Sequence, residues 1–109
     1  MLAERMTSDN LLIRMDSRSL RMNRPAKLAL GLENGGHISF YQNRETKDIA
    51  IKRDAGGIMF HDEVRETSIL QDIALRGHIR LEAGSSYVIE CALMDGMLVL
   101  DLDGVVRES

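Results

Sequence analysis

The stretch that decides the fold is Ser19–Arg53, which reads SLRMNRPAKLALGLENGGHISFYQNRETKDIAIKR. It recurs without a gap 49 positions later as Ser68–Leu102, SILQDIALRGHIRLEAGSSYVIECALMDGMLVLDL. Four positions are identical, and the glycine turns and the alternation of apolar residues stay in register. A fixed period indicates one structural unit built twice. We therefore predict a single domain, 1–109, made of two repeats at about 11–53 and 58–102.

Before the glycine-rich turn at Glu33–Gly36, the pattern predicts two strands. Leu11–Met15 is a short apolar run, and Ser19–Asn23 alternates apolar and polar residues as a half-buried strand does. Between them, Asp16 and Ser17 predict a turn in which a side chain bonds the local backbone. Residues 1–10 are polar and are predicted to be loosely ordered.

A short helix is predicted next. Pro25 suits the first helical turn, where its missing N–H has no partner in any case. Good helix formers follow over Ala26–Leu30, and Gly31 can end the helix in a left-handed conformation. Such a short helix depends on packing, which we assign to three leucines: Leu28, Leu30 and Leu32.

Each half then contains a hairpin pattern. In the first half, His37–Tyr41 and Asp48–Lys52 flank the polar tip Asn43–Lys47. In the second half, Tyr87–Cys91 and Met97–Leu102 flank Asp95-Gly96, a two-residue hairpin signal because both residues accept positive φ.

The region between the two hairpins is less determined. Asp54–Gly57 is predicted to be a flexible hinge and Ile58–Phe60 a small strand. For Ser68–Leu75 the repeat predicts an extended strand, whereas local propensity favours a helix capped by Ser68. The sequence leaves the conformation of 61–78 open between these two. The residues after Asp101 are predicted to form an irregular end.

The amino-acid composition indicates a globular domain and argues against several classes of function. The chain has 109 residues, of which 44% are hydrophobic and 28% are charged. These fractions are typical of soluble globular domains. The chain contains no apolar run long enough to span a membrane, and the lone Cys91 cannot form an internal disulfide, so a cytoplasmic location is predicted. Neither a nucleotide fingerprint nor metal-ligand spacing among His37, His61 and His78 is present. We therefore predict a protein that is not an enzyme and uses no cofactor or metal.

The charges divide between the halves. Residues 1–53 carry ten Lys/Arg against six Asp/Glu, a charge of +4, and residues 54–109 carry four against eleven, a charge of −7. The densest basic cluster consists of Arg14, Arg18, Arg21, Arg24 and Lys27. A basic patch is typical of a polyanion-binding surface. An equally weighted alternative is that the acidic half neutralises this cluster.

The first unit resembles the AbrB/SpoVT-type swapped-hairpin family, also called the looped-hinge-helix fold. The resemblance extends from Ile13 to Lys52, and its most specific part is Leu30-Gly31-Leu32 followed by the strand Ile38–Tyr41. It implies a mainly β fold: a small swapped-hairpin-like barrel built from two β-β-α-β-β units, with one or two short helices. It recurs more weakly in the second unit, which is acidic and lacks the proline.

The resemblance also implies a function. In such proteins, arginines around the looped helix bind DNA, and a guanidinium can contact a phosphate or a guanine edge with two bonds. By position, the implied DNA contacts are Arg14, Arg18, Arg21, Arg24 and Lys27. We therefore predict a small DNA-binding transcriptional regulator.

Two alternatives stay open. The first concerns function: the alternative to a DNA-binding regulator is a protein-interaction module, antitoxin-like or inhibitory, that uses the acidic C-terminal half. The two units either close one barrel within a chain, which the hinge slightly favours, or pair between chains in a homodimer.

Overall fold

The computed structural model describes residues 10–108, so the prediction for residues 1–10 falls almost entirely outside it. The first half contains β1 (Leu11–Asp16), β2 (Leu20–Met22), α1 (Arg24–Ala29), β3 (Gly36–Gln42) and β4 (Ile49–Arg53). The second half contains β5 (Ile58–Phe60), β6 (Glu63–Val64), α2 (Thr67–Arg76), β7 (Ser86–Met94) and β8 (Met97–Leu100). A last strand, β9 (Val106–Arg107), follows. Each half thus has the order β-β-α-β-β.

The strands form a nearly closed antiparallel barrel. Their order is β5-β3-β4-β8-β7-β1-β2-β6, with β9 added beside β7. The two ends of this order, β5 and β6, follow each other in the chain and lie in contact. The expected fold class, a small mainly β barrel with two short helices among residues 10–108, is therefore confirmed.

The halves exchange strands within one chain. β1 of the first half pairs with β7 of the second, and β5 of the second half pairs with β3 of the first. The two hairpins meet along β4 and β8, where Ala50 pairs with Val99. These two residues are related by the 49-position offset of the sequence repeat, so equivalent strands of the two hairpins pair with each other.

The barrel encloses the core because its strands alternate. Ile13 and Met15 of β1 and Ile51 of β4 have no exposed surface, and the residue between the first two faces outward. Phe60 is the largest fully buried side chain among the described residues. Each helix adds its buried face, α1 through Ala26 and α2 through residues at helical spacing: Leu70, Ile73 and Ala74.

Most of the region 61–78, which the sequence leaves open, is helical: α2 spans Thr67–Arg76. Ser68–Leu75, extended according to the repeat, lies within α2, because three apolar residues at helical spacing bury more surface on one helix face than alternation would. The cap assigned to Ser68 is wrong, since Glu66 precedes the helix and supplies no side-chain cap. The second strand of the second half is instead the short β6.

Three further predictions need correction. Leu28 is 46% exposed and does not hold α1 in place, whereas Leu30 and Leu32 are buried as predicted. The chain after Asp101 returns to the sheet as β9. The hinge at Asp54–Gly57 is a hydrogen-bonded turn, in which the Gly57 N–H donates to the Asp54 carbonyl at 2.8 Å.

The predicted turn chemistry is otherwise confirmed. Asp16 accepts from the backbone N–H groups of Arg18 and Ser19, both at 2.8 Å. Gly31 ends α1 at a φ of 69°. Asp95 and Gly96 both have positive φ, 52° and 76°, as a two-residue hairpin turn requires.

No helix in the described part of the chain combines the length and apolar character needed to cross a bilayer.

Candidate functional site

Arg14 and Arg21, two of the five predicted DNA contacts, lie side by side on the outer face of the barrel. They are directly paired across β1 and β2. Each guanidinium is bound by a carboxylate from the second half. Arg14 donates to Glu108 at 2.9 Å, and Arg21 donates to Glu63 at 3.5 Å. Exposed pairs of this kind add little to stability, but they cancel local positive charge.

Glu63 is the better anchored of the two carboxylates. Its Oε2 also accepts a 2.6 Å bond from Arg65, and its side chain is 21% exposed. The hydrogen bond from Arg65 lowers the pKa of Glu63, and the charges of Arg65 and Arg21 lower it further against the opposing effect of burial. Glu63 therefore stays ionised beside Arg21 across the neutral pH range.

The remaining three cations occupy the two ends of the β1–β2 hairpin. Arg18 lies in the turn beside Asp16. Arg24 and Lys27 lie on α1, which begins where the Asn23 N–H bonds the Leu12 carbonyl at the other end of β1. The length of β1 places these two ends about 17 Å apart. None of the three forms an ion pair within residues 10–108.

The five predicted site residues thus fall on three separate places. The structure brings Arg14 and Arg21 together and pairs them with acids, and it brings Arg24 and Lys27 together on one helix. Arg18 stands apart from both. The neutralisation that the sequence left open occurs at two of the five positions.

A different surface joins the two hairpins. Tyr41 of β3 pairs with Ala50, Ala50 with Val99, and Val99 with Ala92 of β7. Residues paired across strands point to the same face. This face is the outer one, because the neighbouring Ile51 and Leu98 are fully buried in the barrel. We call this outward row, Tyr41, Ala50, Val99 and Ala92, the apolar row.

The apolar row continues at one end into two methionines. Met97 and Met94 pair with each other two residues further along β8 and β7, which places them on the same outer face. Tyr41 is 47% exposed and Met94 is 56% exposed. Together with Met97, Val99 and Ala50 they line a shallow cleft of about 430 Å³.

Acidic residues border the opposite side of the apolar row. Three exposed carboxylates lie two positions from members of this row: Asp48 before Ala50, Asp101 after Val99 and Glu90 before Ala92. Asp101 and Glu90 are neighbours, because the Asp101 N–H donates to the Glu90 carbonyl at 2.8 Å. Asp48 and Asp101 line a common cleft of about 500 Å³, which we call the acidic cleft. We call Asp48, Asp101 and Glu90 the acidic row. Among residues 10–108, none of these carboxylates forms an ion pair.

The arginine at the acidic cleft is engaged by the protein itself. Arg76 at the end of α2 donates to the Lys47 carbonyl at 3.3 Å and also bonds the side-chain amide of Gln42. Leu75, beside it, is 78% exposed and forms an apolar wall of the cleft. This end of the barrel therefore adds apolar surface next to the acidic row.

The thiol of Cys91 lies on the inner side of the same strands. Burial raises the pKa of Cys91 to about 12, and the charges of Glu90 and Asp101 contribute to the rise. A thiol in this state is a poor nucleophile and a poor metal ligand. Within residues 10–108, no three side chains of His, Cys, Asp or Glu are grouped closely enough to hold a metal ion.

One signal in the sequence could have revealed the apolar row. Met97–Leu100 reads MLVL, with no polar residue on either face. A strand that is apolar on both faces is typical of a strand covered on both sides. In the structure Leu98 and Leu100 fill the barrel, while Met97 and Val99 face outward and remain partly exposed.

Comparison with known proteins identifies no relative: no protein-family model, curated protein or solved structure matches the chain.

Proposed function

We propose that this chain is a protein-interaction module whose acidic half receives a basic partner. The observation that carries the proposal is that β7 and β8 present exposed apolar side chains directly beside carboxylates that have no ion pair among residues 10–108. An exposed apolar patch with a polar border is typical of a protein-binding surface. The net charge of −7 over residues 54–109 selects for a positively charged partner.

The distribution of exposed apolar residues supports this function over a purely structural barrel. Leu93 and Met94 at the end of β7 are 49% and 56% exposed. Both lie next to the Asp95-Gly96 turn; Met94 shares the outer face with Met97, and Leu93 pairs with the buried Leu98 on the other face. Burial of such side chains by a partner removes apolar surface from water at about 25 cal/mol per Å².

In-cell photo-crosslinking tests the proposal. A photo-reactive residue replaces Met94 in one variant and Met59 in another, because Met59 is also an exposed methionine, at 71%, but lies on β5 away from the β7–β8 hairpin. We expect one dominant, identifiable protein crosslinked at position 94 and none at position 59. The proposal fails if both positions yield the same diffuse products, or if position 94 yields none.

DNA binding is the second candidate function, and two observations favour it. The first unit resembles the AbrB/SpoVT-type family, and Arg18, Arg24 and Lys27 have no ion pair among residues 10–108. Three cations at the two ends of a hairpin can contact separate phosphates of one strand or of both. The neutralised pair Arg14 and Arg21 would first have to give up Glu108 and Glu63.

A salt titration of duplex DNA binding separates the two functions. If DNA is the partner, an Arg24→Ala/Lys27→Ala variant reduces the slope of log K against log salt by about 2. An Arg44→Ala/Lys47→Ala variant, with the same charge change in the β3–β4 loop, leaves that slope unchanged. Absence of DNA binding by the parent protein at low salt removes this candidate.

A further inference from the structure

We infer that the outer face of β3, β4, β8 and β7 is a docking surface for a cationic segment of another protein, one that carries apolar side chains beside Lys or Arg residues. This inference rests on the proposed function and adds to it the location of the interface and the chemistry of its occupant. Its two parts are the apolar row and the acidic row defined above, which run parallel to each other across neighbouring strands.

The apolar row supplies the centre of the surface. Its four residues lie on adjacent strands, so the row is about 14 Å long at about 4.8 Å per strand. Ala50 at its centre is small and 9% exposed, which leaves a depression between the larger Tyr41 and Met97 side chains. An apolar side chain of the partner can enter this depression and be enclosed on several sides, as interface anchors are.

The acidic row determines the charge of the occupant. The Asp48, Asp101 and Glu90 carboxylates lie two residues, or about 7 Å, from the apolar row. A Lys or Arg side chain that leaves the same segment can span this distance while its aliphatic part stays on apolar surface. Asp95 adds a fourth exposed carboxylate at the β7–β8 turn.

The same charges disfavour a second copy of this chain as the occupant. The outer face carries Lys52, on the β4 position that pairs with Met97, and Lys47 lines the cleft beside Asp48 and Asp101. Two copies packed face to face would therefore oppose more carboxylates than cations, and the protein as a whole carries a net charge of −3. Like charges across an interface are unfavourable.

Fluorescence anisotropy with three labelled peptides tests the inference on the full chain. The first peptide alternates Lys and Leu, the second alternates Glu and Leu, and the third alternates Lys and Ser. We expect the parent protein to bind only the Lys/Leu peptide. The Glu/Leu peptide controls for apolar adhesion, and the Lys/Ser peptide controls for general attraction to an acidic protein.

Paired variants locate the site. Glu90→Gln/Asp101→Asn is expected to weaken Lys/Leu binding by about tenfold or more. Asp62→Asn/Glu66→Gln, which makes the same charge change elsewhere in the second half, should leave it within about twofold. For the apolar row, Tyr41→Ser/Met94→Ser is expected to abolish binding, while the equally apolar but distant pair Leu28→Ser/Met59→Ser should not. Circular dichroism verifies that each variant is folded.

Equal losses in a face variant and its control overturn the inference, because binding is then non-specific. So does failure of the parent protein to bind the Lys/Leu peptide. The crosslink at position 94 then separates two cases. If the Lys/Leu peptide does not bind but the crosslink still captures one protein, only the docking inference is overturned. If the crosslink is also absent, the proposed function is overturned as well. Light scattering tests the remaining alternative. If the parent protein has twice the mass of one chain and the Tyr41→Ser/Met94→Ser variant has the mass of one chain, the face binds a second copy. The inference of a cationic partner is then overturned.

Discussion

At the scale of single residues, the barrel depends on a few positions where geometry leaves no alternative. Gly57 lies so close to β3 that an added Cβ would overlap the Ile38 carbonyl group. Gly56, its neighbour, has room, since an added Cβ meets its first atom at 3.7 Å. Two adjacent glycines therefore have different roles: one permits a close approach of backbones and the other completes the turn.

We expect Gly57→Ala to destabilise the protein by roughly 2–4 kcal/mol, because β5 must move away from β3 to relieve the clash. Gly56→Ala is the matched control and should change stability by less than about 1 kcal/mol. Urea denaturation of both variants measures the difference. Equal free energies of unfolding for the two variants would contradict the close approach.

Cys91 should react slowly while the protein is folded. With the pKa of its thiol at about 12, the thiolate population at pH 8 is on the order of a thousandfold lower than that of an ordinary cysteine with a pKa of about 8.5. Alkylation by iodoacetamide, followed by mass spectrometry, should therefore proceed in urea but not in buffer. Comparable rates under both conditions would show that the thiol is not buried in this way.

At the scale of elements, short helices and turns hold their place through side-chain hydrogen bonds. Asn23 caps α1 by accepting from the Ala26 N–H at 3.1 Å, and the same oxygen accepts from the Leu12 N–H of β1 at 3.1 Å. Its amide group donates to the Asn10 carbonyl at 2.7 Å. One residue thus joins the short helix α1 to the first strand, which explains how a helix of so few turns is stable.

Asn23→Ala is expected to cost about 2–3 kcal/mol, the sum of a lost helix cap and an unsatisfied strand N–H. Asn34→Ala, in the exposed turn before β3, serves as the control and should have little effect. Thermal unfolding followed by circular dichroism compares the two. A loss in Asn23→Ala no larger than that in Asn34→Ala would rule out the capping role.

The turn that links β4 to β5 should respond to acid. The pKa of Asp54 is lowered by the 2.6 Å hydrogen bond from the Ser39 hydroxyl and by the Gly56 N–H. A carboxylate whose pKa is lowered by folding stabilises the native state at pH values above its unfolded-state pKa, which is about 3.9 for Asp. This contribution is lost as the pH falls through the folded-state pKa. We expect Asp54→Asn to flatten the decline of stability below about pH 4. Urea midpoints measured against pH, with Asp62→Asn as the control, provide the test, and an unchanged acid limb would refute it.

At the scale of the whole molecule, the two halves complete each other. β1 pairs with β7, β2 with β6, β3 with β5 and β4 with β8, so four pairings that build the barrel join strands from different halves. Each half alone would leave strand edges and one side of its apolar strands exposed to water. The pairs Arg14–Glu108 and Arg21–Glu63 add charge complementarity between the basic and acidic halves.

Fragments 1–55 and 56–109 should therefore not fold separately. We expect each to lack a cooperative unfolding transition, and an equimolar mixture to recover the circular dichroism and the transition of the intact chain. Tenfold dilution of the mixture should lower its midpoint, because association is then bimolecular. A cooperative transition in either isolated fragment would contradict the exchange of strands.

The local chemistry of this protein follows from its sequence alone. Asp16, Gly31 and Asp95-Gly96 mark turns because their side chains, or the lack of one, permit conformations that other residues resist. The alternation in Asp48–Lys52 predicts a strand with Ile49 and Ile51 inside the barrel, and the Asp95-Gly96 turn predicts that a strand follows it. The doubled pattern of strands and helix, and hence the mainly β class, was likewise predictable.

What only the tertiary structure decided is how distant segments meet. Ser68–Leu75 became a helix rather than the strand of its repeat, because Leu70, Ile73 and Ala74 bury one helix face against the barrel. The basic cluster is contiguous in sequence but is divided among three places, and Glu63 and Glu108 arrive from the other half to neutralise part of it. The apolar and acidic rows exist only because antiparallel pairing aligns Tyr41, Ala50, Val99 and Ala92 across four strands. Strand register is a non-local property, and local propensity carries no information about which residues it places side by side.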